Sequence, residues 1–187
     1  LGRGCAMALA AEGVEVVING RDARQLEQTA QDIRRATGGT VIPVVADVGS
    51  KEGQDRLLAA CAEPDILVNN NAGPPFRDFR ALDRDKMLAG VVANMVTPIE
   101  LIQRVIDPMV RRRFGRIVNI TSSSVRAPIL VLDLASGART GLTAFLAGVA
   151  RKVAGSNVTI NTLLPGSFDT DRQRAGPVVD GQPHAGP

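Results

Sequence analysis

The chain of 187 residues contains no tyrosine and no tryptophan, and aromatic residues make up only 3% of it. Any core must therefore be packed from Val, Ile, Leu and Ala, which the 44% hydrophobic share allows. The length is that of about one domain. Cysteine is scarce too. Cys5 and Cys61 stand alone, without CxxC spacing, which argues against a disulfide framework or a cysteine metal site and fits a reduced, cytoplasmic setting. No metal-ligating set is read. The single histidine, His184, lies in a Gly/Pro-rich tail and reads as incidental. No uninterrupted apolar run is long enough to span a bilayer, and no basic-then-apolar leader is present, so no membrane partner is expected. The net charge is +3 and the pI about 9.4, but the basic residues are scattered apart from Arg111-Arg112-Arg113. Without a basic stripe interleaved with aromatics, no nucleic-acid partner is expected either.

What is present alternates between two periodicities. A small-residue helical pattern from Cys5 to Ala11 ends at Gly13, and the β-branched run Val14 to Asn19 reads as a buried strand. Asp22 can cap a helix to about Arg35 with Leu26, Ala30 and Ile33 on one face, broken by Gly38-Gly39. Thr40 to Ala46 is a second strand. Ser50 precedes a helix to about Ala62, with Leu57, Leu58 and Cys61 apolar, and Asp65 to Val68 is a third strand. Asp83 opens a long helical stretch to about Arg113, closed by Gly115. It contains Asn94 and two prolines, Pro98 and Pro108, each expected to disturb the helix. Arg116 to Ile120 is a fourth strand, a loop covers Thr121 to about Leu134, and a helix runs from about Ser136 to Val153. A fifth strand from Asn157 to Leu164 stops at Pro165-Gly166. Strand–helix alternation implies a parallel sheet with helices on both faces, a doubly wound α/β domain over residues 1–174. The segment 175–187 has no hydrophobic period and reads as a loop-like or disordered tail.

Open α/β sheets bind ligands beyond the carboxyl ends of their strands, so the loops there matter most. After the first strand comes Asn19-Gly20-Arg21-Asp22. Arg21 suits a 2′-phosphate, or it is simply a solvent-facing arginine at a helix start. After the second strand, Asp47 in Ala46-Asp47-Val48 can accept from an adenine amino group, or it can cap the next helix. After the third strand, Asn69-Asn70-Asn71-Ala72-Gly73 offers small residues for close backbone approach to a flat ligand, against the alternative of a plain turn.

Taken together, these segments resemble the short-chain dehydrogenase/reductase family. The resemblance rests on Asp47-Val48, Asn70-Asn71-Ala72-Gly73, Asn94, the run from Gly115 to Ser122, and Pro165-Gly166-Ser167-Phe168-Asp169-Thr170, in the family's order and near its spacing. It implies a Rossmann-like fold and hydride transfer between a nicotinamide cofactor and a small carbonyl or alcohol substrate. With Arg21, the cofactor is expected to be NADP(H) in preference to NAD(H). By position, the resemblance assigns Gly2, Arg21, Asp47, Val48, Asn71, Ala72, Gly73, Arg139, Pro165, Gly166 and Thr170 to the cofactor. It also implies a homodimer or homotetramer formed through the long helix and the helix after it. In the latter, Gly137, Gly141, Ala144 and Gly148 lie along one flank. The family's first strand and the early part of its glycine turn have no counterpart before Leu1-Gly2, and its final strand has none in the tail. The expectation is a fragment whose sheet has a gap between the strands at 14–19 and 65–68.

The resemblance also implies a catalytic Asn, Ser, Tyr and Lys. Asn94 and Ser122 match the first two. The Tyr-x-x-x-Lys segment falls on Ala135-Ser136-Gly137-Ala138-Arg139, so alanine replaces the proton donor and Arg139 the lysine. A methyl group transfers no proton, and Arg139 keeps its own at neutral pH while still able to hold ribose hydroxyls. Three substitutes are open: Ser122, Ser123 or Ser136 relaying through water, Asp133 titrating, or loss of the chemistry with retention of a binding site. The leading reading is an oxidoreductase with an atypical proton donor; the rival is a non-catalytic nucleotide-binding or scaffold protein. Val125, Ile129, Leu130 and Leu132 suggest an apolar wall of the substrate pocket or an interface.

Overall fold

The structure, a computed structural model, describes residues 1–169 together with 178–179 and 182–183. Its elements are α1 (Gly2–Ala11), β1 (Val16–Gly20), α2 (Ala23–Thr37), β2 (Val41–Val45), α3 (Lys51–Ala60), β3 (Ile66–Asn69), α4 (Arg84–Val91), α5 (Thr97–Arg112), β4 (Gly115–Ile120), α6 (Asp133–Val153) and β5 (Val158–Leu163). In the tail, β6 (Val178–Val179) pairs with β7 (Gln182–Pro183) in antiparallel fashion. The other pairings are all parallel, β1 with β2, β3 with β4 and β4 with β5. Parallel neighbours need a crossover, and here each crossover carries helix.

The parallel strands form two pieces, β1–β2 and β3–β4–β5, with no ladder between them. This division between β1 and β3 lies where the sequence led us to expect a gap. Each piece has its own core. Ala6, Ala10, Val16, Ala30, Ile33 and Val41 join α1 and α2 to the first. Ile102, Val105, Met109, Ile117, Leu142, Leu146 and Val158 join α5 and α6 to the second. Pro43 is accommodated because, among the described residues, β2 pairs with β1 alone, so a missing N–H costs little on its outer side.

Local chemistry sets the boundaries. Asp22, Ser50 and Asp83 cap α2, α3 and α4 by accepting from Gln25, Gly53 and Lys86 backbone N–H groups. Gly38, with φ 70°, ends α2 in the left-handed conformation. Two expectations need correction. Gly115 does not close α5: Arg113 makes the left-handed turn (φ 55°), with its carbonyl held by Asn157 Nδ2 at 3.0 Å. Gly115 opens β4 instead, and a Cβ there would lie 2.5 Å from Met109 Sδ. α6 begins at Asp133 rather than near Ser136, because the Ser136 N–H already donates to the Leu132 carbonyl at 2.8 Å.

Pro98 coincides with a local disturbance, a π turn just before it, whereas Pro108 does not end the helix. Pro98 sits in the first turn of α5, and Pro108 lies within that helix. A π turn over Val92–Val96 joins α4 to α5, so Arg84–Arg112 is continuous. By length and composition alone that stretch is apolar enough to cross a bilayer, although Glu100, Arg104 and Asp107 interrupt it, so no uninterrupted apolar run is formed. Its Leu101, Ile102, Val105 and Met109 are buried, the last three in the core against Ile117 and Leu142.

Candidate functional site

The carboxyl ends of the strands are tied together mainly by asparagine. Asn19 Nδ2, at the end of β1, donates to the Val44 and Ala46 carbonyls at 2.9 and 3.0 Å, fixing the end of β2 beside Arg21. Arg21 itself is exposed. In the next loop the Asp47 carboxylate accepts from the Gly49 N–H at 2.9 Å, while its carbonyl accepts from Ser50 Oγ at 3.0 Å. Part of Asp47 is thus spent on the local turn. Helix α3 approaches this loop so closely that a Cβ on Gly53 would fall 1.8 Å from the Asp47 carbonyl oxygen.

After β3, each of the three asparagines has a distinct position. Asn69 Nδ2 donates to Asn119 Oδ1 of β4 at 2.9 Å, a buried pair spanning two parallel strands. The Asn70 side chain lies over the start of α1, where a Cβ on Gly2 would be 2.8 Å from its Nδ2. A side chain at position 2 would have to displace the Asn70 amide, so glycine lets Asn70 pack directly on the first turn of α1. Asn71 Nδ2 donates to the Ala93 carbonyl at 2.8 Å. Asn94 is buried in the π turn, and its Nδ2 reaches the Gly90 and Ala72 carbonyls at 3.2 and 3.4 Å. π turns inside longer helices recur at functional sites. Here the turn sets Asn71, Ala72 and Asn94 against one another.

Arg139 completes this cluster. Asn69, Asn71, Asn94, Asn119, Thr121 and Arg139 line a cavity of about 10 Å³, close to the smallest space that holds one water. Pro98, Ile120 and Leu142 form its apolar side. Ser122 and Ala135 do not line it. Ser122 Oγ accepts from the Ser124 N–H at 3.1 Å and so caps a short turn, which leaves its own hydrogen to donate. Ala135 is buried at 1% exposure, one turn before Arg139 on α6. The Ser123 N–H donates to the Pro165 carbonyl at 2.9 Å, bringing the loop after β5 to the loop after β4. Gly166 has open space around it. Thr170 and His184 lie outside the described residues.

The 74–82 loop and the loop after β4 are also joined. The Arg77 N–H donates to the Val131 carbonyl at 2.9 Å. Val131 holds φ 59°, a conformation costly for a β-branched residue, on the order of 1–3 kcal/mol. Leu130 is 70% exposed, while Val125, Ile129 and Leu132 are half-buried. Elsewhere, Arg104 and then Lys51 hold the exposed Asp55 carboxyl below its ordinary value, and burial pushes the Cys61 thiol up.

Sequence reasoning missed Asn19, Gln54 and Asn119 as structural members of this region. A polar residue inside the apolar run of β4 was the available signal for Asn119. Nothing local marked Gln54, whose partners lie 6 and 46 residues away.

The family model for short chain dehydrogenases matches residues 1–177. The uncharacterized oxidoreductase YvaG of Bacillus subtilis is 30% identical over 172 residues, covering 91% of this chain and 65% of its own length. The NADPH-dependent reductase BacG of the same organism is 27% identical over 177 residues, covering 92% of this chain and 68% of its own. A crystal structure of a 3-oxoacyl (acyl-carrier-protein) reductase from Agrobacterium tumefaciens with NADP bound superposes with a TM-score of 0.83 at 30% identity. It covers 92% of this chain and 69% of that one. The fold is therefore the Rossmann-like α/β fold of these relatives. The chain spans about 65% of the length of the first curated relatives it matches.

Proposed function

The chain belongs to the short-chain dehydrogenase family, and from that premise we propose that the intact protein is an NADP(H)-dependent oxidoreductase acting on a carbonyl or alcohol without a tyrosine donor. The observation that carries this reading is the gathering of Asn71, Asn94 and Arg139 on one small cavity at the strand ends. The residues fit a dinucleotide. Gly2 keeps the start of α1 free of side chain, Asp47, beside Val48, offers an acceptor for adenine, and Ala72-Gly73 present bare backbone. Pro165, Gly166 and Thr170 belong to the same proposal. A nicotinamide cofactor supplies the hydride when bound. Arg139 would hold ribose hydroxyls as a fixed cation, Ser122 would hydrogen-bond the substrate oxygen, and a water ordered by Asn94 would deliver the single proton.

The cofactor preference rests on Arg21, exposed directly after β1. A 2′-phosphate there gains charge-assisted hydrogen bonds. Two of the similar proteins, BacG and the Agrobacterium reductase, carry NADPH or NADP in their names, which supports the same choice. Titration of the intact protein should show tighter binding of NADPH than NADH, and Arg21→Ala should narrow the gap about ten- to a hundredfold. Equal affinities before mutation would overturn the preference. Turnover with a panel of ketones and alcohols tests the chemistry. Cofactor binding without turnover on any of them would favour the second reading, a non-catalytic nucleotide-binding protein, which the absence of tyrosine and the burial of Ala135 support.

The proposal includes a homodimer or homotetramer and a reducing, cytoplasmic setting, the latter supported by two unpaired cysteines. Leu88 and Val92 of the α4 stretch and Phe145 of α6 are large, apolar and 41–52% exposed. The small flank of α6 is only partly available. Gly141 already faces Met95, whereas Gly137 and Gly148 are open. Light scattering on the intact protein should give a multiple of the protomer mass.

A further inference from the structure

Gln54 lies on α3 with 4% of its surface exposed, one turn before the apolar pair Leu57 and Leu58. A buried amide is costly unless its groups are bonded, so what it bonds to indicates its role. Its Nε2 donates to the Val48 carbonyl at 3.1 Å and to Glu100 Oε2 of α5 at 2.9 Å. Both partners are acceptors, so only one orientation of the amide satisfies them. The contact therefore has a fixed direction, and the acceptor on α5 is a carboxylate, which makes that bond a strong one.

Each end of this bridge matters for position. Val48 follows Asp47 in the loop whose own backbone is already pressed against Gly53 and clipped by Ser50. Glu100 lies one turn beyond the π turn that holds Asn94. Beside it, Arg104 of α5 bonds Asp55 of α3 at 2.6 Å, so the two helices meet through a polar seam. Packing alone does not require this, because leucine at position 54 would extend the apolar face of α3. We infer that Gln54, held by Glu100, is a positioning residue that registers the Asp47–Val48 loop to α5, and so sets the adenine end of the site relative to the end that carries Asn94. The inference rests on the cofactor reading above and adds to it a residue that determines affinity without touching the cofactor.

The test uses intact protein with two probes, NADPH and adenosine 2′,5′-bisphosphate, which carries only the adenine half. Gln54→Leu should weaken NADPH by roughly five- to tenfold, the loss expected for a hydrogen-bonded link of this kind, and the adenine-half probe by less, since only NADPH spans both ends. Glu100→Gln keeps an acceptor and should stay within about twofold of the wild type on the same scale. The double variant Gln54→Leu/Glu100→Leu removes the amide and the carboxylate together and leaves only the Val48 carbonyl without its donor, so its thermal midpoint should stay close to that of the wild type while both probes still bind more weakly. That combination separates positioning from mere stabilisation, and it also covers the case in which a single variant folds badly. Wild-type protein that binds neither probe would sink the cofactor reading and this inference with it. If the wild type binds and both Gln54→Leu and the double variant bind equally well, only this inference fails. It also fails if affinity falls only in step with the thermal midpoint.

Discussion

The two pieces of sheet are built on different principles. Around β1–β2 the core is largely alanine: Ala6, Ala10 and Ala30 pack with Ile33, Val16 and Val41. Backbones come close there, and a Cβ on Gly39 would fall 2.9 Å from the Ala10 carbonyl oxygen. Around β3–β4–β5 the core is made of large side chains, Met109, Ile117, Leu142 and Leu146 among them. The proposed functions divide along the same line. The first piece would hold its ligand mostly with backbone and turn geometry, at Gly2, Arg21 and the Asp47 loop. The second would work through side-chain functional groups at Asn94, Ser122 and Arg139. Backbone geometry survives many substitutions, whereas a reaction can be lost with one side chain. On the proposed reading, the cofactor face is the part that tolerates change, while alanine stands at 135.

The largest expected effect follows from that contrast. Ala135→Tyr with Arg139→Lys in the intact protein should raise carbonyl reduction by about 10²–10⁴-fold, the usual contribution of a positioned acid. The cleft must open to admit the ring, since Ala135 is buried at 1%. Unchanged rates with cofactor binding retained would show that the second piece no longer reserves that space for a donor.

Stability should separate the cores less sharply. Met109→Ala removes a fully buried side chain and should cost about 2–5 kcal/mol in urea unfolding. Ala10→Gly removes one methyl group from a helix of the alanine core and should cost about 1 kcal/mol. Similar losses for the two would mean that the alanine core stabilises the fold as much as the larger one does.

The smallest effect belongs to the seam between α3 and α5. Arg104 and Lys51 lower the exposed Asp55 carboxyl below its ordinary 3.8. A depressed carboxyl contributes stability above its ordinary value, and that contribution fades as pH falls through the folded value. Asp55→Asn should therefore lower the thermal midpoint slightly at neutral pH, and the difference should shrink progressively below pH 3.8. A difference that persists in strong acid would point to packing rather than charge.

Much of this molecule follows from local sequence. Leu26, Ala30 and Ile33 at helical spacing, the β-branched run ending at Asn19, and the caps Asp22 and Ser50 each act within a few residues. Their elements were legible for that reason, and strand–helix alternation then implied parallel pairing. Tertiary structure alone decided the rest. Arg113, not Gly115, makes the turn after α5, because Asn157 comes from far along the chain to hold its carbonyl. The π turn that seats Asn94 against Ala72, the Asn69–Asn119 pair and the Gln54–Glu100 bridge all join residues 22 or more positions apart. A periodic pattern records which face of an element is buried. It does not record which distant side chain meets it, and at this site those distant meetings set the geometry.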